Sequence, residues 1–343
     1  MQQNPPSLQP KQHNVSSTLN ASRSQDICIQ NTSTDAATCR LSAVKKKYIC
    51  DEYAQYFIKR ASNLSPIMNR GTFCRFLAIQ NTISNFLSAL NASNDSACRP
   101  QILSLGTGFD TTYFLNTSLC QSAKFFEIDF PAITKKKKSI IQSNANLLKF
   151  FKNFSESGID QVEINTDSYC IISGDLREFD TTIANKLLEC GFDTKQPTLV
   201  ISECVLIYLE AQYSNRIISW IDKHLLNVGF ICYEQINPDD RFGQQMISIL
   251  MERGINLPGI RSLPSLKSQE DRFITNYRWN YSKAVDLWEF YTSIDPKEIS
   301  RISALEYLDE FEELKLLLEH YCFTVAYKCT NTYNQIFTKI EIK

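Results

Sequence analysis

Gln101-Ile-Leu-Ser-Leu-Gly-Thr-Gly-Phe-Asp-Thr-Thr-Tyr113 decides the fold. The run Ile102 to Leu105 suits a short buried strand and is too brief for a helix. Gly106 and Gly108 turn the chain, and residues 109–113 read as a helix start that Asp110 or Thr111 caps. A strand, a glycine turn and a helix in direct succession open a Rossmann-like α/β unit. The third glycine of a dinucleotide fingerprint is missing, because position 111 is Thr111. A pyrophosphate needs that close backbone approach, so a nicotinamide oxidoreductase is disfavoured.

The same alternation continues outward. Ala123-Lys-Phe-Phe-Glu-Ile-Asp129 reads as a second strand, and Pro131 suits the first turn of the next helix. Tyr169-Cys-Ile-Ile-Ser173, ending at Gly174-Asp175, is a third, followed by a helix over 181–190. Residues 198–204 and 228–234 are a fourth and a fifth, with a helix over 211–226 between them. Strand and helix in alternation mean a parallel sheet with right-handed crossovers. Near the C-terminus, 321–328 and 333–340 read as strands joined by a turn at Thr330-Asn331. The expected fold is therefore α/β: a mostly parallel seven-stranded sheet with a C-terminal antiparallel hairpin and a helical lid.

The lid comes from two segments. Residues 34–97 are mostly helical, with Phe73, Phe76, Leu77, Ile83, Phe86, Leu87 and Leu90 on one stripe and Ile79 beside it. Residues 237–315 form a helical insertion before the hairpin. The Rossmann-like core is then 98–236 and 316–343, within one domain over 34–343. Residues 1–33 are rich in Gln, Asn, Ser and Pro and are expected to be a disordered tail.

Composition narrows the function. Of 343 residues, 43% are hydrophobic and 21% charged, an ordinary globular balance. Lys plus Arg is 36 against 37 Asp plus Glu, a net charge of -1, which lacks the signature of a nucleic-acid binder. The densest basic run, Lys135 to Lys138, reads as a solvated helix face. The 12 cysteines include no Cys-x-x-Cys pair, and Cys170, Cys204, Cys232 and Cys322 sit in apolar runs as buried thiols do. His13, His224 and His320 are too scattered to make a local metal motif, so no metal is expected. No apolar leader or membrane-length run is present. A reducing compartment follows, with the cytosol as default and the nucleus left open.

Open α/β sheets bind ligands beyond the carboxyl ends of their strands. Those ends carry Gly106, Asp129, Asp175 and Glu203. Asp129 follows Gly106 by about twenty residues, the spacing for a carboxylate that accepts from both ribose hydroxyls. Asp175 is placed to accept an adenine amino group, with Leu176 covering the ring. The alternative is that these acids cap helices or form surface pairs. Four polar signals at successive strand ends favour the ligand.

Leu103-Ser-Leu-Gly-Thr-Gly-Phe-Asp-Thr-Thr112 resembles the glycine loop of the leucine carboxyl methyltransferase family. Phe126-Glu-Ile-Asp-Phe-Pro131, Ser202-Glu-Cys-Val-Leu-Ile-Tyr208, and Tyr233-Glu-Gln-Ile-Asn237 with Asp240-Arg-Phe-Gly243 are similar to later motifs of that family. Asn69-Arg-Gly-Thr-Phe-Cys-Arg75 and Asp35-Ala-Ala-Thr-Cys-Arg-Leu-Ser-Ala43 resemble its N-terminal helical part. The ordered set is far more specific than the glycine loop alone.

The resemblance implies S-adenosylmethionine as cofactor, bound by Arg40, Arg75, Gly106, Asp129, Asp175, Leu176 and Glu203. It implies methylation of the C-terminal leucine carboxylate of the protein phosphatase 2A catalytic subunit, with no nucleic acid or membrane as partner. Arg75 would bind the cofactor's methionine carboxylate and steer the incoming peptide carboxylate; otherwise it makes a lid salt bridge. Arg75 and Glu203 are the residues on which catalysis would depend. Tyr208 either orients the substrate or is a structural tyrosine. Arg40 stands where the family carries Lys; the charge is kept but the donor geometry differs.

Two further readings share the fold. A tRNA-modifying carboxyl methyltransferase of the wybutosine pathway is expected to carry a repeat propeller, and no such period is visible. A non-catalytic binding protein would not need an intact glycine loop and acidic strand ends.

Overall fold

The structure is a computed structural model. It describes residues 15–58, 62–93, 98–119, 123–151, 154 and 157–342. One eight-stranded sheet organises the chain: β1 (Gln101–Leu105), β2 (Lys124–Asp129), β3 (Val162–Asn165), β4 (Tyr169–Ser173), β5 (Thr198–Glu203), β6 (Val228–Gln235), β7 (Tyr281–Asp286) and β8 (Tyr321–Lys328). Their order is β3-β4-β2-β1-β5-β6-β8-β7. The five central strands β4, β2, β1, β5 and β6 are parallel, and β3, β8 and β7 pair antiparallel. The chain leaves β1 toward β2 on one side and β5 lies on the other, which opens a crevice above β1.

The α/β class and the five parallel strands agree with the sequence reading, but the sheet has eight strands and the hairpin is different. Residues 333–340 are not a strand. They form short helical turns, Asn331–Tyr333, Asn334–Phe337 and Thr338–Ile340, burying Ile336, Phe337 and Ile340. That spacing of one and three residues is helical, not alternating. The outer antiparallel partner of β8 is instead β7, which lies inside the segment expected to be all helix. As an edge strand β7 buries only Ala284 and Val285, and Tyr281 stacks on Tyr327 at 5.2 Å. The other edge, β3, is four residues long and was also hidden in a polar stretch.

The first helix, α1 (Val15–Lys45), overturns the expectation of a tail over 15–33; residues 1–14, with His13, lie outside the described residues. Its C-terminal half buries Ala37, Leu41 and Ala43 in the core, whereas the contacts nearer its start are polar and small. Asp26 pairs with Arg177 at 2.8 Å, Asp35 pairs with Arg253, and Ser33 sits against Gly108. After the short helix α2 (Ala54–Phe57) comes α3 (Pro66–Ala92). Ser65 caps it by accepting from the Met68 N–H, and Pro66 fills its first turn. Phe73, Ile79, Ile83, Phe86, Leu87 and Leu90 form its buried face, while Phe76 and Leu77 are half-buried.

The helices α4 (Thr112–Asn116) and α5 (Pro131–Gln142) follow β1 and β2. At the start of α4 it is Asp110 that accepts from the Thr112 N–H, at 3.1 Å; Thr111 makes no cap bond. On α5, Lys135 and Lys136 are exposed, but Lys137 is buried, which corrects the solvated reading of that run. Cys74, Cys170, Cys190, Cys232 and Cys322 are buried free thiols, and among the described residues no helix is long and apolar enough to cross a membrane.

Candidate active site

The carboxyl ends of β1, β2, β4 and β5 open onto two adjoining cavities. One, about 330 Å³, is lined by Arg40, Arg75, Gly106, Glu203 and Tyr208 among others. The other, about 770 Å³, is lined by Gly106, Asp129, Asp175, Leu176 and Tyr208. Thr32, Ser33, Gly106, Cys204 and Tyr208 belong to both, so the cavities meet over the glycine turn. Every residue singled out from the sequence therefore faces one continuous space.

Gly106 has φ 58° and Gly108 φ 55°, a left-handed turn that costs glycine least. A Cβ on Gly106 would come within 2.6 Å of the Val205 Cγ2 atom, so the loop lies directly on the β5 exit. Asp129, at the end of β2, holds this loop. Its Oδ2 accepts from the Gly108 N–H at 2.6 Å and its Oδ1 from the Phe130 N–H at 2.7 Å. Burial pushes the Asp129 carboxyl up to about 6, against the pull of these two donors. Each oxygen keeps a second lone pair for a ligand hydroxyl.

Beneath the loop, Glu127 is buried with Lys137. Its Oε2 accepts from Lys137 Nζ at 2.5 Å, Tyr169 OH at 2.7 Å and Thr107 Oγ1 at 3.2 Å. Sequence reading missed this cluster, because the Lys137 ammonium looks no different from its solvated neighbours.

Arg75 projects from α3 and pairs through Nε with Glu203 Oε1 at the end of β5. The Arg75 guanidinium lies 4.9 Å from the centre of the Tyr233 ring, which stacks on Tyr321 at 5.4 Å. Glu203 caps no helix. The turn after it, Leu206–Tyr208, has Val205 at its start and no side-chain cap. Arg40 comes from α1. Its Nε donates to Asp51 at 2.7 Å, its Nη1 donates to Asp110 at 3.2 Å, and it covers Phe76 at 4.7 Å. Its Nη2 is buried without a hydrogen-bond partner, which leaves a donor for a ligand anion. Asp51 and Asp110, which aim Arg40 from eleven and seventy positions along the chain, were not recognisable as site residues, since neither spacing makes a local pattern.

Asp175 behaves partly as the alternative had it. It caps the short turn after β4 by accepting from the Arg177 N–H at 2.9 Å, and it pairs with the Arg177 side chain at 2.5 Å. Arg177 also reaches Asp26 on α1 at 2.8 Å, so one cation joins the cavity wall to the helix above it. Leu176 is buried beside it. Tyr208 is half-buried rather than sealed in the core, and burial raises its hydroxyl above the ordinary range. Cys204, expected to be a core thiol, instead lines both cavities with φ 55°.

The profile of the leucine carboxyl methyltransferase family matches residues 28–222. A leucine carboxyl methyltransferase 1 homolog of Arabidopsis thaliana is 39% identical over 307 residues, covering 89% of this chain and 90% of that one. The chain belongs to the leucine carboxyl methyltransferase family. It is a methyltransferase, and the oxidoreductase reading falls with that. The tRNA wybutosine-synthesizing protein 4 of Homo sapiens is 33% identical over 303 residues, covering 87% of this chain and 44% of that one. Among solved structures, the plantazolicin methyltransferase BamL, in complex with a triazolic desmethylPZN analog and SAH, is similar at a TM-score of 0.41 and 10% identity, over 87% of this chain and 99% of that one. Gly106, Asp129 and Glu203 lie within the matched span and all stand on the cavity walls.

Proposed function

We propose that this protein moves the methyl group of S-adenosylmethionine onto the α-carboxylate of the C-terminal leucine of the protein phosphatase 2A catalytic subunit, forming a leucine methyl ester. What carries the reading is the pair of joined cavities in a leucine carboxyl methyltransferase. One end presents two arginines, the other an acid at each of two strand ends, as a ligand with a carboxylate at one end and a nucleoside at the other requires. The buried Arg40 Nη2, without a partner, fits that carboxylate.

The proposed roles follow from position. Arg40 and Arg75 bind the methionine carboxylate, and Glu203 fixes the Arg75 guanidinium. Gly106 gives the close backbone approach, Asp129 takes the ribose hydroxyls, and Asp175 with Leu176 takes the adenine. S-adenosylmethionine supplies, when bound, a methyl group on a sulfonium sulfur. The acceptor needs no base, because a terminal carboxylate with a pKa of about 3.3–3.7 is ionised at neutral pH. A carboxylate oxygen gains the bond to carbon, the sulfur keeps the electrons of the bond it loses, and no proton moves. The work left to the chain is positioning, with Tyr208 on the acceptor side.

Two surfaces are proposed for the phosphatase. The terminal tail enters between α1, α3 and the 237–315 segment, where Cys39, Met68, Thr72, Leu250 and Ile255 line the smaller cavity. A separate patch meets the folded subunit. The free thiols suit the cytosol as the place of action.

The test offers purified phosphatase subunit, a minimal tail peptide and tRNA in parallel. Methylation of the subunit well above the peptide supports both surfaces; equal methylation of the peptide removes the second. Methylation of tRNA alone would replace the phosphatase by the acceptor of the wybutosine relative.

A further inference from the structure

Glu234 lines neither large cavity, yet it sits beneath the turn that connects them. Tyr233 pairs with Glu203 in the β5–β6 register, so Glu234 stands one step past the end of β5. Its side chain is 3% exposed. Oε1 accepts from the Val205 N–H at 3.3 Å and from the Leu206 N–H at 3.0 Å.

Those two N–H groups belong to the turn from Cys204 to Tyr208. The turn begins with a left-handed Cys204, φ 55°, whose N–H donates to the Tyr233 carbonyl at 2.7 Å. A non-glycine residue holds that conformation only where its surroundings over-determine it. The Val205 side chain backs Gly106. On the far side, the Gly259 N–H donates to the Ile207 carbonyl at 2.9 Å. At one end of the turn Glu203 meets Arg75, and at the other Tyr208 faces both cavities.

The carboxylate has a counter-charge. Arg272, from the helix Leu266–Tyr277, is 2% exposed and shares with Glu234, Gln235 and Gln269 a space of about 10 Å³. Glu234 Oε2, Gln235 Oε1, Gln269 Oε1, Arg272 Nε and Arg272 Nη2 are all buried without a hydrogen-bond partner. A single water in that space can bridge two of the three acceptors to the two Arg272 donors.

We propose that Glu234 is a positioning residue for methyl transfer, acting through the Val205 and Leu206 N–H groups to hold the Cys204–Tyr208 turn. It touches neither reactant. Displacing the turn moves Tyr208, the Glu203 partner of Arg75, and the support of the glycine loop together. The inference rests on the proposed cofactor site and not on the identity of the acceptor.

Burial pushes the Glu234 carboxyl up to about 7, opposed by the Val205 N–H, Arg272 and the Leu206 N–H. The other titratable groups facing it are the Tyr208 hydroxyl and three thiols, Cys232 on β6, Cys204 on the turn and Cys322 opposite on β8. Burial raises all four, so among the described residues facing Glu234 Arg272 carries the charge near neutral pH.

The test compares Glu234→Ala with Glu234→Gln in the full chain, reading S-adenosylhomocysteine affinity by calorimetry, turnover, and melting temperature. Both variants strip Arg272 of its counter-charge and should melt earlier. Only glutamine keeps an acceptor oxygen for the turn. Glu234→Ala should lose about ten- to a hundredfold in affinity and turnover well below its melting point, and Glu234→Gln should recover most of it. Loss that follows melting temperature equally in both variants, or none in a folded Glu234→Ala, overturns the proposal. If Glu234→Ala does not fold, Glu234→Asp decides. Its shorter carboxylate keeps a charge beside Arg272 but draws the acceptor back from the Val205 and Leu206 N–H groups, so affinity and turnover should fall about tenfold while melting changes less than in Glu234→Gln; wild-type affinity and turnover in a folded Glu234→Asp overturns the proposal. Failure of the phosphatase as acceptor leaves the affinity comparison intact.

Discussion

Lys137 Nζ lies 2.5 Å from Glu127 Oε2, and both side chains are sealed from solvent, at 1% and 3% exposure. Tyr169 and Thr107 donate to the same carboxylate oxygen, so the pair joins α5, β2 and β4 to the middle of the glycine loop. A charge pair at this depth contributes little over an apolar pair of equal shape, but half of it is costly.

Lys137→Met should therefore destabilise the fold by about 3–5 kcal/mol, since it leaves Glu127 buried and unpaired. Lys135→Met, on the exposed side of the same helix, should change stability by less than about 0.5 kcal/mol. Urea unfolding of both variants checks the contrast, and equal effects would return the whole lysine run to the surface.

At Gly106, alanine meets two obstacles at once: φ 58° and the Val205 methyl groups at 2.6 and 2.8 Å. Strain of this kind costs on the order of 1–3 kcal/mol. If the loop relieves it by moving, affinity for S-adenosylhomocysteine should drop by about tenfold or more. Calorimetry reads the loss directly; unchanged affinity would mean that the loop does not approach the cofactor.

Arg75→Ala should weaken S-adenosylhomocysteine binding by roughly 10- to 100-fold, the size of a lost charged hydrogen bond of about 1.5–3 kcal/mol. Arg75→Lys should not restore it. One ammonium cannot meet Glu203 and a carboxylate with the geometry of a guanidinium fork. Full recovery in the lysine variant would show that charge alone matters there.

Asp129 supplies a pH test. Its carboxyl is raised from 3.8 to about 6 by burial. The folded chain then holds this proton more tightly than the unfolded one, so this group alone costs stability as pH rises between those values. Binding has the opposite slope, because ribose hydroxyls need the ionised acceptor. Affinity for S-adenosylhomocysteine should fall as pH drops below about 6, by about tenfold per unit, and Asp129→Asn should flatten the curve. A wild-type affinity that is flat from pH 5 to 7 would remove Asp129 from the ribose.

The central strands were legible because each is a short apolar run ending in a polar residue at the ligand side. Asp129, Asp175 and Glu203 were found by the rule that strand ends face the crevice. Arg40 and Arg75 lie on helices remote from those ends, and only the family motifs singled them out. The edge strands β3 and β7 were missed because one-sided burial leaves a mixed pattern, and 333–340 was misread because three apolar residues fit two periods. The part of α1 before residue 34 escaped because it docks through Asp26 and Ser33, a polar face that resembles a tail. Lys137, Glu234 and Arg272 share a further obstacle: a buried charge is recognisable only once its partner's place in the fold is known.

The most direct measurement follows labelled methyl from S-adenosylmethionine to the purified phosphatase 2A catalytic subunit, beside the same subunit lacking its terminal leucine. The account predicts label on the full-length subunit alone, released by mild base as from a carboxyl ester. Label on both subunits, or on neither while S-adenosylhomocysteine still binds, would contradict the assigned acceptor.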